Sequence, residues 1–351
     1  MTLFPEHIML NGSRVSANEL IKHKKPRTDR EAEFTDFLKE WYSYKKFIEA
    51  KTSGSTGKPK TIRLQKEFVA ASAQRTLHFF KLKKNDPILH CLPMQYIAGK
   101  LMVIRALLGE LDLCLTEPST DFAFLKNKKF RFAAMVPNQA VKILKAEAAP
   151  GELLKNMEQL LIGGSSIPAS LEMALQKVST ACWSGYGMTE TATHIALRKI
   201  KGSGADGWYH CLKNIRVCLS AEGCLQIYLP GLENRPLQTT DLAELKDEKT
   251  FRILGRIDNV IISGGIKFSP EHLEKKLEPF ISAPFLISSL SHESLGQQLI
   301  LVVEGKENKE ANEKLKEICR QHLAKYEQPK QILLKHSLPR LSTGKPDRRN
   351  I

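Results

Sequence analysis

The sequence contains no apolar run long enough to cross a bilayer, because a membrane-spanning helix needs about 20 predominantly apolar residues. Its first residues, MTLFPEHIMLNGSR, lack the basic start and the unbroken apolar stretch of a secretory signal. These two absences argue against a membrane-inserted or a secreted protein. A cytoplasmic protein is the resulting expectation.

Paired cysteines are missing as well. The chain has seven cysteines, an odd number, and none of them forms a CxxC motif. This scattered pattern favours reduced thiols in a cytosol. It argues against both a disulfide framework and a zinc site.

Acidic residues are too few to balance the basic ones. Lysine and arginine number 53 against 38 aspartates and glutamates, a formal net charge of +15. Such a chain attracts anions, either nucleic acid or smaller phosphate-bearing molecules. The lysines are spread along the sequence, and the chain has no basic pattern interleaved with aromatic residues of the kind that binds RNA. Small phosphate-bearing partners are therefore favoured, and no nucleic acid is expected.

The length and the order of predicted elements indicate an α/β protein. A chain of 351 residues exceeds one ordinary domain. Apolar strand-like segments alternate with amphipathic ones, which predicts a largely parallel sheet with helices between its strands. Helices are predicted over residues 31–48, 65–80, 120–127 and 138–148, and strands over 87–93, 111–118 and 130–137.

The second half of the chain has a different pattern. Residues 207–229 contain short alternating segments joined by turns, which predicts an antiparallel, barrel-like part. The last part combines strands with one charged helix and predicts a small α+β unit. Its strands are expected at 284–290, 297–305 and 330–335, and its helix at 308–325.

One loop is chemically distinctive. Residues 52–60 read TSGSTGKPK, with four hydroxyl side chains before Gly57. Glycines let backbone N–H groups approach an oxyanion, hydroxyls donate further hydrogen bonds, and a lysine adds positive charge. It is not a Walker A loop, because two residues rather than four separate the glycines and Pro59 follows the lysine. Alone, the loop could equally be a solvated turn. Its proposed phosphate-binding residues are Thr52, Ser53, Gly54, Ser55, Thr56, Gly57 and Lys58.

Three further segments accompany this loop: WSGYGMTET at 183–191, LGRIDNVIISGGIKFSPEHLEKKL at 254–277, and LPRLSTGKPDRR at 338–349. Together with TSGSTGKPK they resemble, in order and spacing, the motifs of the adenylate-forming enzymes, which include acyl-CoA ligases, firefly luciferase and adenylation domains. The resemblance covers about residues 52–351. It implies a large N-terminal domain with mainly parallel sheets and a small barrel-like part, plus a small α+β C-terminal domain.

The resemblance also implies domain boundaries and an ATP site. Residues 1–50 would be a shortened N-terminal segment, 51–257 the AMP-binding domain, and 258–351 a mobile domain that turns about Asp258. By matching positions, Tyr186 would lie beside adenine within the run Gly185, Tyr186, Gly187 and Met188. Thr189 would lie near the α-phosphate, Glu190 on Mg²⁺, Asp241 on the ribose, and Arg256 on ribose or phosphate. The matching catalytic lysine is Lys345. Thr240 departs from the family pattern, which has a glycine there.

Other positions are expected to contact the acid and coenzyme A. Tyr96, Thr193 and His194 would border the acyl pocket, and Gly163, Gly164 and Ser165 would form its floor or simply a packing turn. Lys100 and Arg105 lie on an apolar helix, where either both reach solvent or one meets a carboxylate of the substrate. The coenzyme A channel would involve Ser263, Gly264, Gly265 and Lys267. Ser269-Pro270-Glu271 is also an ordinary helix start.

These matches imply an ATP-dependent acid–CoA ligase that uses Mg²⁺, ATP, coenzyme A and a small carboxylic acid. Within the family, the compact chain with IISGGIKFSPEHLE and GMTET is most similar to members that activate o-succinylbenzoate for menaquinone synthesis. A ligase for another aromatic or small acid is one alternative. A catalytically idle nucleotide binder or nucleic-acid binder is the other. The oligomeric state stays open, with a homo-oligomer as one alternative.

Overall fold

A computed structural model describes residues 3–22, 25–52, 60–118, 128–145, 152–232, 235–306, 308–339 and 348. The chain divides into two compact units, Met1–Ile215 with Leu229–Gly231, and Arg216–Tyr228 with Leu232–Ile351. The domain boundary expected near Asp258 refers to a movement between domains, which a division into compact units does not test. This boundary therefore stays a prediction. Among the described residues no helix is long and apolar enough to span a membrane.

In the part of the first unit that the structure describes, nine strands form one sheet and two more form a separate hairpin. In the sheet the strand order is β2-β1-β6-β5-β7-β8-β9-β10-β11, and all neighbours from β1 to β9 are parallel. This arrangement confirms the mainly parallel sheet. The strands are β1 (His7–Leu10), β2 (Ser13–Ser16), β3 (Phe47–Lys51), β4 (Thr61–Gln65), β5 (Pro87–His90), β6 (Asp112–Leu115), β7 (Phe130–Met135), β8 (Met157–Ile162), β9 (Ala181–Gly187), β10 (His194–Lys199) and β11 (Tyr209–Cys211).

Among the described residues of this unit, six α-helices accompany the strands: α1 (Ala17–Lys22), α2 (Asp29–Tyr42), α3 (Lys66–Phe79), α4 (Ile97–Gly109), α5 (Pro137–Lys145) and α6 (Ala169–Leu175). The helix predicted over 65–80 is confirmed by α3. The helix predicted over 31–48 is wrong in its second part, because α2 ends at Tyr42 and residues 47–51 pair with β4. The helix predicted over 120–127 lies outside the described residues.

Helix α2 forms part of the core through one apolar face. Phe34, Phe37, Leu38 and Trp41 are each at most 3% exposed. Their spacing of three and four residues places them on one side of a helix. This side of α2 therefore faces the core.

The second unit contains two antiparallel systems. The meander follows the order β12 to β15, and the other sheet has the order β17-β16-β19-β18 with β20 parallel to β19. The antiparallel strands predicted in 215–229 are β12 and β13, whereas residues 209–211 belong to the first unit. The elements are β12 (Arg216–Leu219), β13 (Cys224–Tyr228), β14 (Leu237–Asp247), β15 (Thr250–Arg256), β16 (Ile261–Ser263), β17 (Ile266–Phe268), β18 (Phe285–His292), β19 (Gly296–Glu304), β20 (Gln331–Lys335), α7 (Pro270–Leu277) and α8 (Lys309–His322).

The direction of the strands explains where polar side chains collect. Parallel strands end at the same edge of a sheet, and in open α/β sheets that carboxyl edge is where ligands bind. Strand β5 leads to Tyr96, β8 to Gly163 and Gly164, and β9 to the turn around Glu190. The fold thereby brings three segments of the predicted site to one edge.

Candidate active site

The glycine-bearing loop is the turn of the β3–β4 hairpin. Residues 53–59 lie outside the described residues, but both ends of the loop are described. The N–H of Thr52 donates to the carbonyl of Lys60 at 2.8 Å, and Thr52 Oγ1 accepts from the N–H of Lys60 at 3.0 Å. Lys51 forms an isolated parallel bridge with Tyr96. The two ends of the loop are therefore joined by hydrogen bonds, and they lie beside the start of α4.

The turn with Glu190 is held in shape by Thr191, which is fully buried. Oγ1 of Thr191 accepts from the N–H of Met188 at 3.0 Å and donates to the carbonyl of Thr193 at 2.6 Å. Ala192 then adopts a left-handed backbone with φ 61°, which costs an alanine about 1 kcal/mol or more. Thr189 is half-buried and the Glu190 side chain is exposed. The turn therefore presents a carboxylate to solvent from a fixed backbone.

Tyr186 lies on β9 next to a second tyrosine. Its ring centroid is 5.9 Å from that of Tyr209 at an angle of 57°, and the Tyr209 hydroxyl is 2.7 Å from Oγ of Ser184. A half-buried pair of rings offers a face on which a planar base can stack. The motif predicted Tyr186, whereas Tyr209 belongs to a segment in which only strand periodicity was visible.

Two glycines of this region have different local surroundings. A Cβ built on Gly187 would lie 2.2 Å from the carbonyl oxygen of Thr193 and 2.6 Å from Cα of His194, both backbone atoms. A Cβ on Gly163 would meet nothing nearer than the carbonyl oxygen of Gly185 at 3.9 Å. Gly187 is therefore required by the close approach of β9 and β10. Gly163, the left-handed Gly164 and the exposed Ser165 have space around them.

Arg105 is the most unusual charged residue of the first unit, with only 2% of its surface exposed. Its Nη2 donates to Oγ1 of Thr193 at 3.2 Å and its Nη1 to Sδ of Met102 at 3.4 Å. Its Nε is buried and has no hydrogen-bond partner among the described residues. Burial lowers the pKa of the guanidinium. A buried cation is normally paired with an anion, and here no described carboxylate fills that role.

A chain of hydrogen bonds extends from Arg105 to α3. Oγ1 of Thr193 lies 3.2 Å from Nδ1 of His194, and Nε2 of His194 lies 3.4 Å from Oγ1 of Thr76. Burial lowers the pKa of His194 well below its usual value, and the charges of Arg105 and Arg75 lower it further. His194 is therefore neutral near pH 7. The sequence predicted Thr193 and His194 but gave no signal for Thr76.

Lys100, the other cation considered on this helix, has partners inside the protein. Its ammonium is paired with the Glu40 carboxylate, donates to the carbonyl of Glu49 at 2.7 Å and lies 5.0 Å from the ring centre of Phe37. Both Lys100 and Arg105 are buried, so the alternative in which both reach solvent is wrong. Since only Arg105 lacks a described carboxylate, it is the better of the two for a substrate anion.

In the second unit, strand pairing brings two predicted nucleotide contacts together. Asp241 of β14 lies directly opposite Arg256 of β15. The guanidinium of Arg256 donates to the hydroxyl of Thr240 and forms an ion pair of 3.0 Å with Asp258. Thr240, which departs from the family pattern, thus supplies a hydroxyl that orients Arg256.

The segment expected to meet coenzyme A is an exposed hairpin. Ser263 pairs with Ile266 across a two-residue turn in which Gly264 and Gly265 have φ of 56° and 80°. Two positive φ values are typical of the turn type that joins twisted strands most tightly. Lys267 is exposed on the returning strand. Lys345 and the loop residues Ser53, Gly54, Ser55, Thr56, Gly57 and Lys58 lie outside the described residues.

Comparison with known proteins agrees with this geometry. A model of the AMP-binding enzyme family matches residues 52–219. A solved structure described as an acyl-CoA synthetase (AMP-forming)/AMP-acid ligase II-like protein from Dyadobacter fermentans is 32% identical, with 95% of this chain and 97% of that chain covered and a TM-score of 0.65. The mainly parallel sheet is typical of the fold of adenylate-forming enzymes. The β3–β4 hairpin and the turn with Glu190 occupy the positions of two of their motifs. The chain belongs to the AMP-binding enzyme family.

Two further relatives are named for the acid that they activate. A 2-succinylbenzoate–CoA ligase of Haemophilus influenzae is 29% identical over 294 residues. The match covers 79% of this chain but 64% of that relative, so the chain spans less than two thirds of the relative's length. The o-succinylbenzoate CoA synthetase of Bacillus subtilis, solved with an acyl-adenylate intermediate, has a TM-score of 0.74 at 21% identity, with 86% of this chain and 68% of that chain covered. At that identity the likeness shows the fold alone.

Proposed function

We propose that this protein is an AMP-forming acid–CoA ligase and that its acid is o-succinylbenzoate, which it converts to the CoA thioester in menaquinone synthesis. The buried guanidinium of Arg105, which has no described carboxylate partner, carries the choice of a substrate with two carboxylates. Family membership supports the reaction, and the Haemophilus influenzae relative supports the acid. The matching compartment is the cytoplasm.

In the first half-reaction, a carboxylate oxygen of the acid attacks the α-phosphorus of ATP, and the bond to pyrophosphate breaks. No protein nucleophile is needed, so the residues act by positioning and by stabilising charge. The loop at 52–58 would hold the outer phosphates through backbone N–H groups and hydroxyls. Lys345 would stabilise the negative charge that builds on the oxygens between the carboxyl carbon and phosphorus.

The residues present fit a magnesium ion bound together with the nucleotide. Mg²⁺ usually takes one or two protein carboxylates and completes its shell with phosphates and water, and Glu190 is one exposed carboxylate on a fixed turn. When bound, the ion would neutralise phosphate charge. Tyr186 would stack on adenine, with Gly185, Gly187 and Met188 shaping the strand end and Thr189 near the α-phosphate. Asp241 would accept hydrogen bonds from the ribose, with Arg256 beside it.

In the second half-reaction, the sulfur of coenzyme A attacks the acyl carbon, the carbon–oxygen bond to AMP breaks, and the thiol proton passes to solvent. We propose that movement about Asp258 withdraws Lys345 before this step. The same movement would present the hairpin residues Ser263, Gly264, Gly265 and Lys267 to coenzyme A. The exposure of Gly264, Gly265 and Lys267 in the hairpin supports this role.

The acid would bind with one carboxylate at the reaction centre and the other on Arg105. Tyr96, Gly163, Gly164 and Ser165 would border its ring, and Thr193 and His194 would line the same side as Arg105. A neutral His194 suits this place because a protonated histidine would add a second positive charge beside Arg105. Lys100 is assigned a structural role by its contact with Glu40.

The test is pyrophosphate release with ATP, Mg²⁺ and o-succinylbenzoate, with and without coenzyme A, beside Lys345→Ala. Matched acids are benzoylpropionate, which lacks the ring carboxylate, and ortho-butyrylbenzoate, which lacks the aliphatic one. We expect release that needs the dicarboxylate, a thioester only when coenzyme A is present, and a loss of about 10²- to 10³-fold in the variant. Equal turnover of benzoylpropionate would retain the ligase and reject the assigned acid. No release with any acid would reject the enzyme.

A further inference from the structure

Arg348 lies three residues after Lys345 in the sequence, and its guanidinium is held at several points in the second unit. Its side chain is 19% exposed. Nη1 and Nη2 donate to Oε1 and Oε2 of Glu274, each at 2.6 Å. Nη1 also donates to the carbonyl of Ile287 at 2.6 Å. This bidentate geometry is the strongest that an arginine forms with a carboxylate.

Glu274 is itself fixed from the other side. The carboxylate is on α7, and its Oε1 accepts from the N–H of Ile287 on β18 at 2.6 Å. Arg348, Glu274 and the backbone of Ile287 therefore form a closed set of hydrogen bonds that joins the chain end, a helix and a strand. Such a largely buried pair has one well-defined arrangement, because any other leaves a buried charge unpaired.

The same helix turn reaches the residue next to the expected hinge. Oε1 of Glu271 lies 3.9 Å from Nε of Arg348 and accepts from the side-chain amide of Asn259, the neighbour of Asp258. A cavity of about 160 Å³ is lined by Asp258, Asn259, Ile287 and Arg348 among others. The anchoring point of Arg348 is thus adjacent to residue 258.

We propose that Arg348 is the positioning residue for Lys345: its clamp on Glu274 fixes the chain three residues after Lys345 to α7 and β18. The proposal rests on the proposed ligase function. Three residues span at most about 10 Å, so a fixed Arg348 limits where Lys345 can go. The C-terminal motif includes Arg348, but the sequence did not predict its partner, because Glu274 lies 74 positions earlier.

The experiment measures the two half-reactions separately in the full-length protein. Arg348→Lys keeps the charge but loses the fork that binds both carboxylate oxygens, and Glu274→Gln keeps the shape but loses the charge. Because a misplacement of about 1 Å can reduce a rate about 10²-fold, we expect adenylation to fall by about that factor in both variants. Thioester formation from supplied acyl-adenylate and coenzyme A should be unchanged, since that step does not use Lys345.

A second background makes the test specific. In Lys345→Ala, adding Arg348→Lys should cause no further loss of adenylation, because the clamp acts through the missing lysine. Arg320→Lys serves as the matched control, since Arg320 is an exposed arginine of the same unit paired with Glu317 at 3.6 Å. It should leave both half-reactions unchanged.

Two results would overturn the proposal. One is an equal loss in both half-reactions of Arg348→Lys, which would indicate a general loss of structure. The other is the same fold-loss in the Lys345→Ala background as in the wild type. Failure of the proposed function itself is recognised separately, because the wild type would then release no pyrophosphate with any acid.

Discussion

Nη2 of Arg105 donates to Oγ1 of Thr193 at 3.2 Å, and the same hydroxyl lies 3.2 Å from Nδ1 of His194. One threonine thus connects a buried cation on α4 to a neutral histidine on β10. The guanidinium donates to a hydroxyl and a thioether, and no carboxylate among the described residues pairs with it. This arrangement leaves a buried positive charge available to an anionic ligand, and the first prediction follows from it.

Replacing Arg105 should affect dicarboxylic acids more than monocarboxylic ones. A hydrogen bond to a charged group contributes about 1.5–3 kcal/mol, so Arg105→Lys or Arg105→Met should lower kcat/KM for o-succinylbenzoate by about 10- to 10²-fold. The corresponding value for benzoylpropionate should change much less. Steady-state kinetics with both acids measures the difference. Equal losses for the two acids would assign Arg105 a purely structural role.

Glu190→Gln should impair the step that depends on magnesium. Removing the carboxylate from the exposed turn should reduce pyrophosphate release by about 10²-fold, as for other groups that stabilise charge in the transition state. The Mg²⁺ concentration needed for half-maximal rate should rise. Glu152→Gln, on the surface beside Lys155, is the control and should change neither quantity. An unchanged Mg²⁺ requirement in Glu190→Gln would remove the residue from the metal site.

Alanine at two glycines should have different effects on stability. Gly187→Ala places a Cβ against backbone atoms of Thr193 and His194, and such overpacking costs about 1–3 kcal/mol. Gly163→Ala has room, with the nearest atom at 3.9 Å, and should leave the free energy of unfolding nearly unchanged. Denaturant titration of both variants measures this. If Gly163 borders the acid, its variant should still raise KM for the acid.

The free energy of unfolding should fall on acidification below about pH 6.5. Burial lowers the pKa of His90 and His194 well below the usual histidine value, and neighbouring arginines lower both further. Below the unfolded pKa of about 6.5 the unfolded chain therefore binds more protons than the folded one, so acid favours unfolding. Each histidine contributes a slope of at most about 1.4 kcal/mol per pH unit.

Denaturation at several pH values between 5 and 8 checks this trend, with His194→Gln as the comparison. The variant cannot take up the proton, so its stability should depend less steeply on pH even if it is less stable at pH 7. An identical slope in variant and wild type would contradict the assignment to His194.

The sequence predicted the type of most elements because hydrophobic periodicity is local. The period of α3 and the apolar segments at β5 and β7 needed no tertiary information. The helix predicted over 31–48 includes residues 47 and 48, because these two apolar residues continue the pattern of α2. They are in a strand because β3 pairs with β4. Periodicity within a short stretch of sequence does not reveal which segments pair with each other.

The same limit applies to the site. Motif resemblance predicted roles for Tyr186, Glu190 and Asp241 without geometry, and these roles stay predictions. It gave no sign that Lys100 is paired with Glu40, which lies 60 positions away, or that Thr76 reaches His194 over 118 positions. Such contacts depend on which helices and strands meet, and periodicity does not specify that.

The hairpin of β1 and β2 closes one margin of the nine-stranded sheet, because β1 pairs in parallel with β6 and β2 pairs with β1. Without it, β6 would offer unpaired backbone groups to other chains, the usual starting point of aggregation. The outermost strand is instead a four-residue segment with Arg14 exposed, and short charged edges resist such pairing. Residues 7–16 therefore cover the backbone edge of β6, and shortened or fused versions of the protein should leave them intact.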